Sequence, residues 1–300
     1  MTSMRHWLLS QIFLCSFLLT FKAIQRKEGI VLMADKKNQN LQNARKAKDD
    51  CFYTQIGDIE NELKHYKSHF ENKIVFCNCD DPEYSNFWKY FYLNFKHLKL
   101  KKLISTHYKT DSPTYKMEYT GIGEPTITPL SQNGDFRSPE CIELLKESDI
   151  ICTNPPFSLF REYIAQLMKY HKKFLIIGNQ NAATYKEVFP LIQKNEIWIG
   201  CNYGDMAFKV PVDSEPRETR FWIDDSGQKW RSMGNICWFT NLDVPKRHEN
   251  MILYKQYSPK DYDPFVNCSG INIDKISDIP LDYDGVMGVP LTFISKSPWK

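Results

Sequence analysis

The segment Asn154-Pro155-Pro156-Phe157 combines residue types that can hold an amino group for reaction. An asparagine carboxamide oxygen and a carbonyl oxygen of the proline corner can each accept one hydrogen from an exocyclic amino group. These two hydrogen bonds favour a pyramidal nitrogen with a localised lone pair and aim it at an electrophile. The ring of Phe157 can stack on the base that carries the amino group. A base in a duplex has to be flipped out of the stack to reach such a site.

The two consecutive prolines make this segment a stiff corner. Each proline fixes its φ angle and lacks an N–H donor, and each restricts the preceding residue to extended geometry. We expect the corner to face outward, with carbonyl oxygens that no local N–H takes up. The corner follows a strand predicted at 149–153 and precedes a helix predicted at 158–171. This placement favours a functional site over a plain loop with a capping asparagine and a core phenylalanine.

Predicted strands and helices alternate up to about residue 200, which predicts an α/β fold with a mostly parallel, doubly wound sheet. Ligands of such sheets bind beyond the carboxyl ends of the strands. A hairpin is expected over 113–130, and strands and loops are expected after 200. Apolar runs predict the other strands at 73–79, 101–108, 172–178 and 196–200, and helical periodicity or capping residues predict helices at 56–70, 86–95, 138–148 and 182–193.

Composition excludes several classes of protein. The chain of 300 residues is 42% hydrophobic and 25% charged, as expected of a globular protein with a sizeable core. Its nine cysteines are scattered and form no CxxC pair. We therefore predict reduced, mostly buried thiols and no metal site.

The N-terminal residues 1–32 have a basic start and an apolar stretch. This stretch is shorter than the ~20 apolar residues that span a bilayer comfortably, and no A-x-A cleavage pattern follows it. We favour Met33 as the natural start and expect a cytoplasmic protein of bacterial type. A signal peptide or membrane anchor is the alternative. Residues 33–300 are formally neutral, so a polyanionic partner requires a local basic face.

Two long runs, residues 49–95 and 134–164, resemble the EcoRI-type adenine-specific DNA methyltransferases. In addition, Asn-Pro-Pro-Phe is the catalytic motif of amino-group methyltransferases that use S-adenosylmethionine. The resemblance covers about residues 50 to 295. It implies a Rossmann-like methyltransferase fold with a mixed, mostly parallel sheet and a C-terminal DNA-recognition region.

The resemblance also implies a function. It implies N6-methylation of a flipped adenine in a specific site of duplex DNA, related to restriction and modification. A cognate restriction endonuclease would be a functional partner, and we expect a monomer. Two alternatives stay open: a catalytically weakened DNA-binding relative, and a methyltransferase that acts on another amino or amide group.

The motifs carry residue roles with them. The catalytic motif matches Asn154, Pro155, Pro156 and Phe157. The elements implied to bind the cofactor are Phe52, Tyr53 and Thr54 over its methionine part, Phe76, Asn78 and Asp80 where relatives carry F-x-G-x-G, and Asp135 and Phe136 at its adenine. Asp135 would accept a hydrogen bond from the adenine amino group, and Phe136 would stack on the adenine ring.

Two departures from the family pattern affect the cofactor residues. Asn78 and Asp80 stand where relatives have glycines, so the backbone cannot approach the cofactor in the usual way. The second strand ends in Thr106-His107 and lacks the usual ribose-binding acid, whose place Asp80 or Asp81 could take. A plain turn at 80–82 and simple packing of Phe52 and Tyr53 are the structural alternatives.

The predicted domain division is 1–49 as an N-terminal extension, 50–200 as the catalytic domain and 201–300 as the target-recognition region with the remaining strands. DNA contacts are expected mainly from 201–300. The candidates are Arg217, Arg220, Lys229 and Arg231, and further Lys246 and Arg247, interleaved with Trp222, Trp230 and Trp238.

Overall fold

The computed structural model describes residues 53–109, 113–210, 214–265 and 269–295. Our predictions for residues 1–49 and for Phe52 lie outside these ranges, as does the side chain of Tyr53. Within the described residues, no helix is long and apolar enough to cross a membrane.

The α-helices follow the predicted periodicity with two interruptions. A 3-10 turn at Lys64–Tyr66 divides the first predicted helix in two. The helix predicted at 182–193 is instead a 3-10 turn at Gln180–Thr184 and one short α-helix. The α-helices are α1 (Ile56–Leu63), α2 (Lys67–Phe70), α3 (Asn86–Leu93), α4 (Pro139–Glu147), α5 (Phe160–Lys169) and α6 (Phe189–Gln193).

Ser85 and Ser138 cap the helices predicted at 86–95 and 138–148. The Ser85 hydroxyl accepts hydrogen bonds from the N–H groups of Phe87 and Trp88, at 3.0 and 3.4 Å. The Ser138 hydroxyl accepts from the N–H of Cys141 at 3.3 Å, with Pro139 at the first helical position. Both serines thus satisfy N–H groups that the first turn of a helix leaves without a partner.

The strands form one large mixed sheet and one small parallel pair. The predicted hairpin at 113–130 is confirmed, because β4 and β5 pair in antiparallel fashion. The strands are β1 (Tyr53–Thr54), β2 (Ile74–Cys77), β3 (Lys102–Thr106), β4 (Tyr115–Tyr119), β5 (Thr126–Pro129), β6 (Ile150–Thr153), β7 (Lys173–Asn179), β8 (Trp198–Lys209), β9 (Phe221–Ile223), β10 (Lys229–Thr240), β11 (Gly270–Asn272) and β12 (Val286–Gly288).

The order of the large sheet is β1-β8-β10-β7-β6-β2-β3-β4-β5, with β9 paired to β10. The four central strands β7, β6, β2 and β3 are parallel, and antiparallel strands flank them on both sides. The chain moves outward from β2 to β3 in one direction and from β6 to β7 in the other. The switch point of this α/β sheet therefore lies between β2 and β6.

Strands β8 and β10 extend beyond the parallel strands at their carboxyl edge. Ile236 of β10 pairs with Asn179, the last residue of β7. Residues 229–235 of β10 consequently run past that edge for about 20 Å at the usual rise of a strand. They pair there with β8, and the flanking strands β9 and β1 add to this extension.

The predicted division at residue 200 falls inside β8, and the large sheet continues to Thr240. Strands β8 and β10 pair with each other, and β10 pairs with β7 of the parallel part of the sheet. Beyond them, residues 251–265 and 269–295 contain a smaller apolar cluster of Tyr262, Ile271, Ile273, Ile279, Met287 and Phe293.

A buried carboxylate holds β8 against α1. Glu62 is fully buried, and its oxygens accept hydrogen bonds from the Tyr66 hydroxyl, the Cys201 N–H and both the N–H and side-chain amide of Asn202, at 2.7–2.8 Å. A Cβ at Gly200 would lie only 2.2 Å from Glu62 Oε1, so only glycine fits there. Burial raises the pKa of Glu62, although these hydrogen bonds act in the opposite direction.

We expect Glu62→Gln to lower the free energy of unfolding by about 2–4 kcal/mol, because the new amide group faces donors in a buried site. Denaturant unfolding measures the loss. The matched control is Glu71→Gln, which removes an ion pair to Lys99 with side chains that are 58% and 69% exposed. That change should have little effect on stability, because exposed ion pairs are screened by solvent. Equal losses in the two variants would contradict the anchoring role of Glu62.

Candidate active site

The carboxylate of Asp80 connects the two halves of the sheet at the switch point. Its Oδ2 accepts a hydrogen bond from the hydroxyl of Thr153, the last residue of β6, and one from the Asn154 N–H at 3.4 Å. Its Oδ1 accepts from the Ser85 hydroxyl at 2.9 Å. One side chain thus joins the loop after β2, the start of α3 and the first residue of the proline corner.

Two hydroxyls at the end of β3 hold the loop after β2 in place. Ser105 donates to the carbonyl oxygens of Cys77 and Asp80, at 3.0 and 2.5 Å. Thr106 donates to the carbonyl oxygen of Asn78 at 3.2 Å. The loop that carries Asn78 and Asp80 is therefore fixed by side chains of the neighbouring strand.

The segment at 53–54 is joined to the same region through α3. Asn86, the first residue of this helix, donates from its side chain to the carbonyl oxygen of Thr54 at 2.7 Å. The preceding residue, Ser85, binds Asp80. The structure thus brings the predicted elements at 53–54, 78–80 and 154–157 together through two consecutive residues of one helix start.

The proline corner lies at the carboxyl end of β6 and is partly exposed. Pro155 is buried, whereas Asn154, Pro156 and Phe157 are of intermediate exposure. Phe157 begins a 3-10 turn and packs against the apolar cluster of the large sheet. Our expectation for the corner carbonyls is wrong in part, because the Pro156 oxygen accepts from the Leu159 N–H at 3.0 Å.

The loop 133–137 has a shape that only glycine allows at position 134. Gly134 has a φ of +74°, and a Cβ there would lie 2.0 Å from the carbonyl oxygen of His107. The carboxylate of the next residue, Asp135, accepts three hydrogen bonds from Arg137. The donors are the backbone N–H, Nε and Nη2 of Arg137, at 2.7–2.9 Å. Burial alone would raise the pKa of Asp135, but the hydrogen bonds from Arg137 outweigh it and lower the pKa.

The aromatic residues of the predicted cofactor set lie deeper than expected. Phe136 is 4% exposed, and its ring contacts that of Tyr163 edge-on, with centroids 5.0 Å apart. Tyr163 donates in turn from its hydroxyl to the side-chain oxygen of Asn78. Phe76 is fully buried in the same apolar cluster. Tyr163 therefore connects the loop at 134–136 with the loop after β2.

Of the predicted DNA-binding residues, Lys229 and Arg231 lie on the sheet extension, and Arg217 and Arg220 lie in the loop that precedes β9. Arg217 and Arg220 are exposed, and Arg220 is 3.5 Å from Asp205 of β8. Lys229 donates to the Ser214 carbonyl oxygen at 2.8 Å, and Arg231 is partly exposed on β10. The extension projects from the carboxyl edge, which is the edge that carries Asn154.

Trp222 and Trp230 form a cross-strand pair on this extension. Their rings are stacked, with centroids 6.1 Å apart and planes 3° from parallel, and Trp222 is 42% exposed. The Lys209 ammonium lies 5.5 Å from the Trp230 ring. The extension thus carries a mixed aromatic and basic surface.

Three other candidates for DNA contact are wrongly placed for that role. Trp238 is fully buried, because it lies in the half of β10 that belongs to the core, next to Phe87. Lys246 donates to the Cys201 carbonyl oxygen, and Arg247 stacks on Trp198. Both residues follow the carboxyl end of antiparallel β10 and therefore lie at the edge of the sheet opposite Asn154.

Sequence reasoning missed the residues that connect the motifs: Thr153, Ser105, Asn86 and Tyr163. Their signal in the sequence is weak. Thr153 and Ser105 are hydroxyl residues at the ends of otherwise apolar strands, where a hydroxyl can bind a neighbouring loop. Tyr163 has the spacing of an ordinary core residue of α5.

Burial raises the pKa of Asp80 to about 6 from the ordinary 3.8, with the hydrogen bonds from Thr153, Ser85 and Asn154 acting in the opposite direction. The folded state therefore holds this proton more tightly than the unfolded chain does. The resulting stabilisation is complete below about pH 4 and is lost as the pH rises through 6.

We compare the free energy of unfolding of the wild-type protein with that of Asp80→Asn. We expect the difference, wild type minus variant, to fall by roughly 1–3 kcal/mol between pH 4.5 and 7.5, because the variant lacks this titration. Denaturant unfolding of both proteins across this pH range measures the difference. A difference that stays constant with pH would show that Asp80 has an ordinary pKa in the folded protein.

A doubly wound sheet whose switch point holds an Asn-Pro-Pro-Phe corner is the arrangement expected of an α/β methyltransferase. Comparison with known proteins agrees. Residues 40–298 match the family described as adenine-specific methyltransferase EcoRI. The chain therefore belongs to the EcoRI family of adenine-specific methyltransferases.

Individual relatives are similar over most of their length. The chain is 47% identical to the Type II methyltransferase M.EcoRI of Escherichia coli over an alignment of 280 residues, which covers 86% of this chain and 86% of the relative. It is 40% identical to the Type II methyltransferase M.MgeORF184P of Mycoplasma genitalium, covering 84% of this chain and 81% of the relative. It is 37% identical to the Type II methyltransferase M.MpnI of Mycoplasma pneumoniae, covering 84% and 80%.

Proposed function

We propose that this adenine-specific methyltransferase transfers a methyl group from S-adenosylmethionine to the N6 atom of a flipped adenine in duplex DNA, at a specific site. The observation that carries the proposal is the partly exposed Asn154 corner, held by Asp80 at the switch point of the sheet. Ligands of doubly wound sheets bind at this point.

The proposed role of the corner is to hold the amino group. The Asn154 side-chain oxygen and a carbonyl oxygen of the proline corner each accept one of its hydrogens, which localises the nitrogen lone pair. Of the two prolines, Pro155 is the better candidate, because the Pro156 oxygen already accepts from Leu159. Phe157 stacks on the adenine. Catalysis then consists of positioning and electrostatic stabilisation and requires no strong base.

The residues around the switch point fit a nucleoside-bearing cofactor. The Asn78 amide nitrogen is buried and has no hydrogen-bond partner among the described residues, so it can serve a ligand acceptor. The loop at 134–136 lies beside it through Tyr163. When bound, the cofactor supplies the methyl group as an electrophilic sulfonium. Thr54, Asn78 and the backbone of 134–136 are the proposed contacts.

For the other residues predicted to bind the cofactor, we propose roles that differ from direct contact. Both oxygens of Asp80 bind protein groups, which supports a positioning role for it. The Asp135 carboxylate is held by Arg137, so an adenine amino group would have to share it. Phe76 and Phe136 are buried, and we propose that they shape the pocket wall.

The sheet extension is the proposed DNA-binding surface, and residues from 201 onward are the proposed target-recognition region. Arg217, Arg220, Lys229 and Arg231 would contact phosphates. The position of the extension at the Asn154 edge supports this role. We propose that the enzyme acts as a monomer on cytoplasmic DNA and protects sites that a cognate restriction endonuclease cuts.

We expect Asn154→Ala to lower methyl transfer by about 100-fold or more while DNA binding is retained, because the amino group loses one of its two acceptors. Transfer of labelled methyl groups to duplex DNA and detection of N6-methyladenine measure this loss. The control is Asn61→Ala, which removes an exposed asparagine of α1 and should leave methylation in place. Unchanged activity of Asn154→Ala would remove it from the site. Absence of transfer by the wild-type protein that still binds DNA would favour a catalytically weakened relative.

We expect Arg217→Ala and Arg220→Ala each to weaken DNA binding and to reduce the dependence of log K on log salt by about 1, since each loses one phosphate contact. Binding titrations at several salt concentrations measure this slope. The control is Lys101→Ala, an exposed residue at the opposite edge of the sheet. A slope that changes equally in the control would contradict the proposed DNA surface.

A further inference from the structure

The side chain of Asn78 is held in one orientation inside the protein. It is 1% exposed. Its Oδ1 accepts a hydrogen bond from the Tyr163 hydroxyl and is also faced by the Cys79 thiol at 3.8 Å. Both groups can donate to this atom, the carbonyl oxygen of the amide, and Nδ2 lies on the other side.

The Nδ2 group of this amide has no hydrogen-bond partner among the described residues. A buried donor without a partner costs about 1–3 kcal/mol, and in a native protein it calls for an explanation. Trp238 Nε1 is in the same condition, but it lies among the antiparallel strands of the core. Asn78, in contrast, lies in the loop after β2, next to the switch point.

The surroundings of Asn78 indicate which part of a ligand its amide faces. Tyr163, which binds Oδ1, also contacts the ring of Phe136. Phe136 follows Gly134 in the loop that the family resemblance associates with the cofactor adenine. The backbone carbonyl oxygen of Asn78 accepts a hydrogen bond from the Thr106 hydroxyl. This bond holds the backbone at position 78 against β3.

We propose that Asn78 Nδ2 donates a hydrogen bond to an acceptor atom on the nucleoside part of the cofactor, and that Tyr163 is the positioning residue that keeps the amide in this orientation. The inference rests on the proposed use of S-adenosylmethionine. It also accounts for asparagine where the general methyltransferase pattern has glycine, because a side-chain donor replaces the close approach of the backbone.

Removal of the Tyr163 hydroxyl tests the positioning role by binding, without any measurement of activity. Calorimetric titration of the full chain with S-adenosylhomocysteine should give a Kd about 3- to 10-fold higher for Tyr163→Phe, because the amide is then free to rotate. Asn78→Ala should weaken binding at least as much. In the double variant the Tyr163 change should have no further effect, since it acts only through Asn78.

The matched control is Tyr66→Phe. Tyr66 is also a fully buried tyrosine whose hydroxyl binds a side chain, that of Glu62, but it lies away from the switch point. This variant should unfold at a lower temperature than the wild-type protein while its Kd stays the same. A general loss of packing would instead raise the Kd in both tyrosine variants.

Adenosine as a second ligand identifies the part of the cofactor involved. Tyr163→Phe should raise the Kd for adenosine and for S-adenosylhomocysteine by the same factor. An effect on S-adenosylhomocysteine alone would overturn the nucleoside assignment. Additive effects in the double variant, or an unchanged Kd in Tyr163→Phe, would overturn the positioning role while the cofactor proposal stands. Failure of the wild-type protein to bind S-adenosylhomocysteine would overturn both.

Discussion

The carboxylate of Asp80 is the one group on which the geometry of the site depends. Strands β2 and β6 are neighbours in the sheet, but the chain continues from them to opposite sides. No backbone ladder connects the loops that follow these two strands. Asp80 supplies the missing connection, since it binds Thr153 and Asn154 on one side and Ser85 on the other. Burial of a carboxylate is unfavourable, and these hydrogen bonds offset only part of it. The protein therefore tolerates a local cost in stability at the point where it needs fixed geometry.

Rigidity at the site comes from covalent geometry as much as from hydrogen bonds. The prolines fix the backbone after Asn154, and Gly134 allows a turn that packs directly on the His107 carbonyl group. The amide of Asn154, in the catalytic role we propose, would lose little conformational freedom on such a frame when the substrate arrives. This matters for a reaction that depends on the aim of two acceptor atoms, because misplacement by about 1 Å can cost a factor of 100 in rate.

Local patterns in the sequence predicted much of the fold but little of the connection between motifs. Ser85 and Ser138 act within three residues of their own helices, so their capping roles were predictable. The contact between Asp80 and Thr153 spans 73 residues, and no local pattern encodes such a pairing. Trp238 was misjudged for a related reason: β10 is buried over 236–240 and only partly buried before that. Composition alone cannot locate the point where one strand leaves the core.

The continuity of β10 connects the proposed recognition surface to the catalytic core. Its second half pairs with β7 and is fully buried, while its first half carries Trp230 and Arg231 beyond the carboxyl edge. At Ile236, β10 pairs with β7 on one side and with β8 on the other, and its register with β8 shifts between Met233 and Ile236. Any DNA held by the extension would therefore have a defined position relative to Asn154. The proposed recognition surface is thus joined to the Asn154 edge by the hydrogen-bond ladder of one sheet.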